Sequence, residues 1–300
     1  MSNEPIKHHY IPQFIISKFC EDDSGFLWYY NRSNGEMSYR HKSEIFMARN
    51  LYRDEINNPD NPTKIEHDFA VFEHEISEII NKFNNEDDIT ISYDDSEKVK
   101  FFFALMAFRS ISTSRLFNNR LSQESKDYYS FYQEDGNMTD FWKRNLGLLV
   151  NCRSIVEVLD NPKIDEPIKK FMIRDTFGVF GLYLAIAERR GSEDFFLSDT
   201  YPLTFDGATD DGIKALMYHI IPISPKRVVI IAAKGITAMP QSERIFNDDV
   251  LKEPRIMNGL VKLHVKKLYQ KEVESINSEI SKHYKEAAFL DKDRFVMRDD

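Results

Sequence analysis

The stretch 96-SEKVKFFFALMAFRSISTSRLFNNRL-121 decides the fold, because it carries one of the longest nearly unbroken apolar runs of the chain. Within it, residues 101–108 are apolar on every side of a helix, which is typical of an element buried on all faces. We therefore expect a single long helix here, at the centre of the protein. Arg109 ends the apolar run, and a charge so close to a core is costly unless it is paired.

The segments around this stretch also favour helices. Residues 64–83 carry apolar side chains at helical spacing, with acidic residues on the remaining face. Residues 126–131, residues 139–159 and the apolar segment 168–190 are interpreted as further helices. Together these segments predict a central bundle of long helices over residues 61–192.

Strand patterns flank the helical region on both sides. Residues 26–32 and 37–40 predict a hairpin, while residues 195–205, 217–223 and 227–233 are rich in β-branched and aromatic residues. The expected fold is one α+β domain over residues 1–300. It has an N-terminal β-hairpin (1–60), the central bundle of long helices (61–192), and a small C-terminal antiparallel sheet with a closing helix over residues 254–284 (193–300).

Composition excludes several classes of protein. The chain has 40 Lys and Arg against 49 Asp and Glu, a net charge of −9, and it is 42% hydrophobic, as expected of a globular protein. No apolar run approaches the ~18 to 20 residues that span a bilayer, and the N-terminus lacks a secretory pattern. Its two cysteines, Cys20 and Cys152, have no metal-ligand spacing nearby. We expect a cytoplasmic protein without a membrane partner.

Two short motifs come close to known sites. The sequence GATDDGIK at residues 207–214 departs from a phosphate loop, because Ile precedes its Lys and no Ser or Thr follows. His8, His9 and Pro12 resemble the HHxxP opening of ββα-metal nucleases, in which a histidine is the general base. Asn50 and His67 could supply the later Asn and His of such a motif, but the 41 positions from His9 to Asn50 are too many for a compact one. A tied-down N-terminus with hydrogen-bonded imidazoles is the alternative.

Arg109 needs a carboxylate partner, and Glu66, Glu73 and Asp199 are the candidates. One interpretation is an ion pair between helices, and the other is a clamp for an anionic substrate. Glu66 and Glu73 share one helix and form either an acidic rail facing a cleft or a solvated face. Asp199 interrupts an apolar strand, and is either a catalytic group or part of a turn that ends the strand before Pro202.

Basic residues concentrate near the C-terminus. Between residues 252 and 271 there are six Lys or Arg and one Glu. Asn258, Lys262 and Lys266 fall on one stripe of the helix expected there. The stripe is either a solvated face or a surface that meets phosphate or an acidic partner.

The opening KHHYIPQFIISKF (residues 7–19) and the hairpin segment GFLWYYNRSNGE (residues 25–36) resemble those of the bacterial domain-of-unknown-function family 4238. Further matches in the same order are Asn50-Leu51-Tyr52, Glu66, Glu73, Arg109, Arg115, Ser198-Asp199, Pro222-Ile223-Ser224-Pro225 and Asn258. The chain departs from the family in having Thr200 and Tyr201 between Asp199 and Pro202, where the family usually has one residue. The resemblance implies a shared architecture and a shared set of polar residues rather than a reaction.

These residues together predict a metal-dependent phosphodiester hydrolase acting on nucleic acid or nucleotides, in bacterial defence or a mobile element. In this hypothesis His8, His9 and Asp199 are catalytic, and Glu66 and Glu73 hold Mg²⁺ or Mn²⁺. Substrate is bound by Arg109, Asn258 and Lys262. The alternative is a noncatalytic binding or regulatory protein in which the same polar groups form a buried structural network. Full hydrogen bonding in a closed interior would favour that alternative, and convergence in an open cleft would favour catalysis.

Overall fold

A computed structural model describes residues 7–118, 138–177, 181–208, 214–234, 236–238, 240 and 244–295. The strands in chain order are β1 (Lys7–His9), β2 (Phe26–Asn31), β3 (Glu36–His41), β4 (Met47–Arg49), β5 (Asp88–Ser92), β6 (Leu182–Arg189), β7 (Leu197–Ser198), β8 (Leu203–Ala208), β9 (Lys214–Pro222), β10 (Arg227–Ala233), β11 (Arg255–Met257), β12 (Leu260–Leu268) and β13 (Glu286–Phe289). The helices are α1 (Gln13–Ile16), α2 (Lys64–Asn85), α3 (Tyr93–Phe108), α4 (Ile111–Asn118), α5 (Met138–Leu149), α6 (Ile155–Asp160), α7 (Glu166–Phe171) and α8 (Gln270–His283).

A mixed seven-stranded sheet is the centre of the fold. Its strand order is β11-β12-β6-β10-β9-β8, with β5 paired to β12, and the β12–β6 pair is parallel while the others are antiparallel. Every residue of β10 is buried, as are the first six of β6. Strands covered on both faces read as continuous apolar runs, which is the pattern these two segments show.

The apolar core is divided by this sheet. Leu182, Leu184 and Ile186 of β6 face a core shared with α2 and α3, while the alternate residues Tyr183 and Ala185 face a second core. Helix α8 covers this second core with Val273, Ile276 and Ile280. Successive side chains of a strand point to opposite faces of the sheet, so alternate residues of β6 contribute to different cores.

The predicted central bundle of long helices is wrong, although the α+β class holds. Residues 168–190 were expected to be a buried helix, and instead α7 and a π-helical turn (Met172–Phe177) precede the central strand β6. An apolar run without a polar face fits a buried strand as well as a buried helix, so periodicity could not separate them. The expected long helix at 96–121 also breaks at Arg109 and Ser110, between α3 and α4.

The predicted small C-terminal sheet with a closing helix over 254–284 is corrected as well. Residues 255–268 form the hairpin β11–β12, and helix α8 begins only at Gln270. Along β12, Val261 and Leu263 are buried while Lys262 and His264 are exposed, which is the alternation of a strand. Lys262 and Lys266 are four positions apart, and residues at this spacing lie on the same side of a strand as well as of a helix. The spacing therefore could not distinguish a strand from the predicted helix.

Several local predictions are confirmed. The N-terminal hairpin is β2–β3, the helix predicted at 64–83 is α2, and the strand predicted at 227–233 is β10. The strand predicted at 195–205 divides into β7 and β8, which belong to different sheets. A helix predicted at residues 126–131 lies outside the described residues.

Two smaller sheets complete the fold. One has the order β3-β2-β13-β7 and joins the N-terminal hairpin to the last strand of the chain, and the other pairs β1 with β4. Within the described ranges, no helix is both long enough and apolar enough to cross a membrane.

Candidate functional site

Arg109 lies between α3 and α4 and is buried, with only 1% of its surface exposed. Its Nη1 is 2.7 Å from Glu73 Oε1, and its Nε and Nη2 donate to the main-chain carbonyls of Tyr10 (3.3 Å) and His9 (3.2 Å). The guanidinium also lies 4.3 Å from the ring centre of Phe69. The predicted carboxylate partner is therefore Glu73, and the geometry is that of an ion pair between helices rather than of an open anion clamp.

His8 is fully buried and belongs to the same region. Its Nδ1 accepts a hydrogen bond from the main-chain N–H of Tyr52 (2.8 Å), and its ring stacks on the Tyr52 ring, with centres 5.4 Å apart. This arrangement holds β1 against the segment that follows β4. A buried imidazole with this contact meets the criterion set above for a structural network.

His9 is the more accessible of the two histidines. It is partly exposed, its Nδ1 lies 3.2 Å from Gln13 Nε2, and burial lowers the pKa of its imidazole, with the charge of Arg109 acting in the same direction. A neutral imidazole is the form that accepts a proton. Within the described residues it does not line either of the clefts discussed below.

Glu66 and Glu73 differ in their surroundings. Glu73 is bound to Arg109, whereas burial raises the pKa of Glu66 to about 7, with Arg109 opposing and Glu73 adding to that shift. Among the residues that the structure describes, no three His, Cys, Asp or Glu side chains are grouped so that they could hold a metal ion. The metal-binding role of Glu66 and Glu73 stays a prediction.

Asp199 lies in a separate cleft of about 570 Å³. Its Oδ1 accepts hydrogen bonds from the main-chain N–H groups of Lys285 (2.8 Å) and Glu286 (3.1 Å), and its own N–H donates to the Glu286 carbonyl (3.1 Å). These bonds fix the end of β7 against the start of β13. Asp199 and Thr200 form a turn directly after β7, as the turn interpretation predicts, and the Asp199 carboxylate also bridges this turn to β13.

Glu286 was not identified from the sequence, and it lies beside Asp199 in the same cleft. Burial raises the pKa of its carboxyl, and the negative charge of Asp199 raises it further. The hydroxyl of Tyr10 donates to Glu286 Oε2 at 3.2 Å. The sequence offered one indication of Glu286, namely an acidic residue at the start of an apolar strand. Its partner Asp199 is 87 positions away along the chain.

Tyr10 connects the two polar regions. Its carbonyl accepts the hydrogen bond from Arg109 Nε, while its hydroxyl reaches Glu286. Burial raises the pKa of the Tyr10 phenol well above its usual value, so that it remains a hydrogen-bond donor at neutral pH. The Arg109 network therefore positions one wall of the cleft.

Hydroxyl groups form another part of the cleft lining. Ser110, Ser112 and Thr113 lie at the start of α4, and Ser110 Oγ accepts a hydrogen bond from the Thr113 N–H at 3.2 Å. His283 and Lys285, both exposed, also line the cleft. A helix start with hydroxyls and the nearby ammonium of Lys285 suits the oxygens of an anionic or strongly polar substrate.

Asn258 and Lys262 do not line this cleft. Asn258 and Gly259 occupy the turn of the β11–β12 hairpin with φ values of 52° and 73°, a left-handed conformation that Asn and Gly adopt most easily. Lys262 faces Arg255 across that hairpin. The structure thus brings His9, Glu66, Glu73 and Arg109 together and places Asp199 in the adjoining cleft. Asn258 and Lys262 belong to neither of these two regions.

Comparisons with curated proteins and with solved structures give no significant match. A family model described as "Protein of unknown function (DUF4238)" matches residues 7–293, which is nearly the whole chain. This match confirms the resemblance noted from the opening and the later polar residues. The chain belongs to the DUF4238 family of proteins of unknown function.

Proposed function

We propose that the protein is a hydrolase of phosphodiester bonds that acts at the cleft of Asp199 and Glu286. The observation that carries the proposal is the adjacency of these two carboxyl groups in one solvated cleft, with the pKa of Glu286 raised by burial and by Asp199. Pairs of carboxyl groups in unequal environments are the usual basis for separate acid and base roles.

The roles follow from the surroundings of each group. Glu286, with its raised pKa, donates its proton to the leaving oxygen of the substrate. Asp199 takes a proton from the attacking water, while its Oδ1 remains held by the N–H groups of Lys285 and Glu286. After one turnover Glu286 has lost a proton and Asp199 has gained one. Asp199 then releases its proton to solvent and Glu286 takes one up, which restores the starting state.

The substrate class is supported by the rest of the lining. The ammonium of Lys285 offers positive charge to the non-bridging oxygens of a phosphate, and the hydroxyl of Ser112 can donate to them. The Thr113 and Ser110 hydroxyls already donate within the protein, to the Ala107 carbonyl and to Thr113 Oγ1. Nucleic acid and nucleotides carry such groups. We further propose a cytoplasmic location, which agrees with the free thiols of Cys20 and Cys152.

The proposal includes a dependence on Mg²⁺ or Mn²⁺, which the sequence analysis predicted. Mg²⁺ is commonly held by one or two carboxylates, with water and substrate phosphate as its remaining ligands. Glu73 is bound to Arg109, and Glu286 keeps its proton as the acid, so the metal ion is tested as an additional requirement and is not assigned to these carboxyl groups. Assays are therefore run with Mg²⁺, with Mn²⁺ and with chelator.

Two substrates separate the roles of the two carboxyl groups. Bis(p-nitrophenyl) phosphate releases a phenolate that needs no proton, whereas a dinucleotide releases an alkoxide that does. We expect Asp199→Asn to lower kcat at least about 100-fold on both substrates, and Glu286→Gln to do so only on the dinucleotide. Both replacements keep the hydrogen-bond acceptors that the backbone and Tyr10 use, so the fold is retained.

A control variant and a contradicting result can both be stated for this experiment. Glu193→Gln, a partly exposed carboxylate outside this cleft, should leave kcat unchanged. Absence of turnover in all metal conditions on both substrates would contradict the proposal. It would favour the second candidate, a noncatalytic binding or regulatory protein, which the closed network of His8 and Arg109 supports.

A further inference from the structure

A second cleft, of about 610 Å³, lies beside the β11–β12 hairpin. Its lining includes four cationic side chains from three segments: Lys252, Arg255 of β11, and Lys262 and Lys266 of β12. Two carboxylates, Asp88 and Glu253, also line it. The lining therefore has a formal charge of +2 in a chain whose net charge is −9.

The cations of this cleft are poorly neutralised by the protein itself. Lys266 pairs with Asp249 at 3.1 Å, and Asp88 is bound to His264. Over the described ranges, Lys252, Arg255 and Lys262 form no ion pair. Their positive charge is thus available to a bound anion.

Arg255 and Lys262 are directly opposite each other in the antiparallel ladder, so their side chains project from the same face. Like charges directly opposite each other in an antiparallel pair destabilise it. On the other side of Lys262 stands Thr90 of β5, which brings a hydroxyl rather than a carboxylate. A bound anion would remove this repulsion and add charge-assisted hydrogen bonds.

We propose that this cleft binds a compact polyphosphate anion, such as the di- or triphosphate group of a nucleotide. Arg255 would hold phosphate oxygens through its planar fork, and Lys252, Lys262 and Lys266 would supply further charge around them. The volume is that of a small-molecule site. Nothing in this inference depends on the hydrolase proposed for the other cleft.

The distribution of charge distinguishes a compact anion from a long nucleic-acid strand. Beyond the cleft, the end of the hairpin is apolar and exposed: Ile256 is 54% exposed, Met257 57% and Leu260 43%. A polymer would need cations that continue along its path. Here the cations without an ion pair line the concavity, and the next lysine along β12, Lys267, is paired with Glu188.

Inorganic tripolyphosphate at low salt is the first probe, with ATP as the second, both followed by calorimetry and thermal unfolding. We expect tripolyphosphate to bind the wild type and raise its Tm, and the Arg255→Ala/Lys262→Ala double variant to bind at least tenfold more weakly. Tighter binding of ATP than of tripolyphosphate would assign the site to nucleotides, and equal binding to the polyphosphate group alone. Either result supports the proposal.

Lys267→Ala is the matched control, because Lys267 lies on the same strand and pairs with Glu188 instead of lining the cleft. Without ligand, the double variant should unfold at the same or higher denaturant concentration than the wild type, since repulsion has been removed. This measurement separates loss of binding from loss of folding. No Tm shift with either probe, an equal shift in the double variant, or binding of an oligonucleotide but not of tripolyphosphate would overturn the proposal.

Discussion

Arg109 Nη1 and Glu73 Oε1 lie 2.7 Å apart and join the end of α3 to the middle of α2 beneath the N-terminal strand. The same guanidinium binds the carbonyls of His9 and Tyr10, so one buried charge holds three segments of the chain. Its loss would remove a donor from Glu73 and from two main-chain carbonyls. Buried charges of this kind cost most when only one partner is removed.

Replacing Arg109 by Met should therefore lower the free energy of unfolding by about 3 to 5 kcal/mol. The matched comparison is Arg153→Met, since Arg153 also pairs with a carboxylate of α2, Glu75 at 2.8 Å, and also lies over a ring, that of Phe72. The Arg153 side chain is 27% exposed, and we expect its replacement to cost about 1 kcal/mol. Urea unfolding of the two variants measures the difference. An equal loss in the free energy of unfolding for both variants would show that the burial of Arg109 does not increase the contribution of its ion pair to stability.

Glu66 should make stability depend on pH. Its pKa is about 7 in the folded protein, above the usual 4.5, so the unfolded chain loses this proton first as the pH rises. The contribution of Glu66 to stability is therefore greatest below pH 4.5 and falls as the pH rises towards 7. Glu66→Gln, which resembles the protonated form, should be more stable than the wild type at pH 8 by about 1 to 3 kcal/mol.

The measurement is urea unfolding of the wild type and Glu66→Gln at pH 5 and pH 8. The advantage of the variant should be clearly smaller at pH 5. Glu78→Gln, an exposed residue of the same helix, should show no such pH dependence. An advantage of Glu66→Gln that is the same at both pH values would contradict the prediction.

His8 and His9 are adjacent in sequence but should respond differently to replacement by alanine. His8→Ala leaves the buried Tyr52 N–H without its acceptor and opens a cavity, which together should cost about 2 to 4 kcal/mol. His9→Ala removes a partly exposed side chain that contacts Gln13 and the Lys42 backbone, and about 1 kcal/mol or less is expected. Thermal and urea unfolding of both variants test this difference. A larger loss for His9 than for His8 would refute the assignment of His8 to the structural network.

Local sequence patterns were sufficient for elements with one apolar face. The acidic and apolar faces of α2, and the alternation and turn residues of β2–β3, predicted those elements correctly, because a half-buried element shows its period in its own residues. The uniformly apolar β6 offered no such contrast and was mistaken for a helix. The same ambiguity led to the incorrect central bundle.

The sequence also indicated part of the candidate site. A charge at the end of an apolar run had to be paired, which predicted a carboxylate for Arg109 and included Glu73 among the candidates. Asp199 was identified because it interrupts an apolar strand. Glu286 was missed, since no local feature relates it to a residue 87 positions away.

The sequence by itself determined the periods of its amphipathic elements, the need to pair Arg109 and the family to which the chain belongs. Only the tertiary structure decided which apolar runs became the central strands and which polar residues share a cleft. The physical reason is that periodicity and the cost of burying a charge act over a few neighbouring residues. Strand pairing, by contrast, brought β7 and β13 together across most of the C-terminal third of the chain, and with them Asp199 and Glu286.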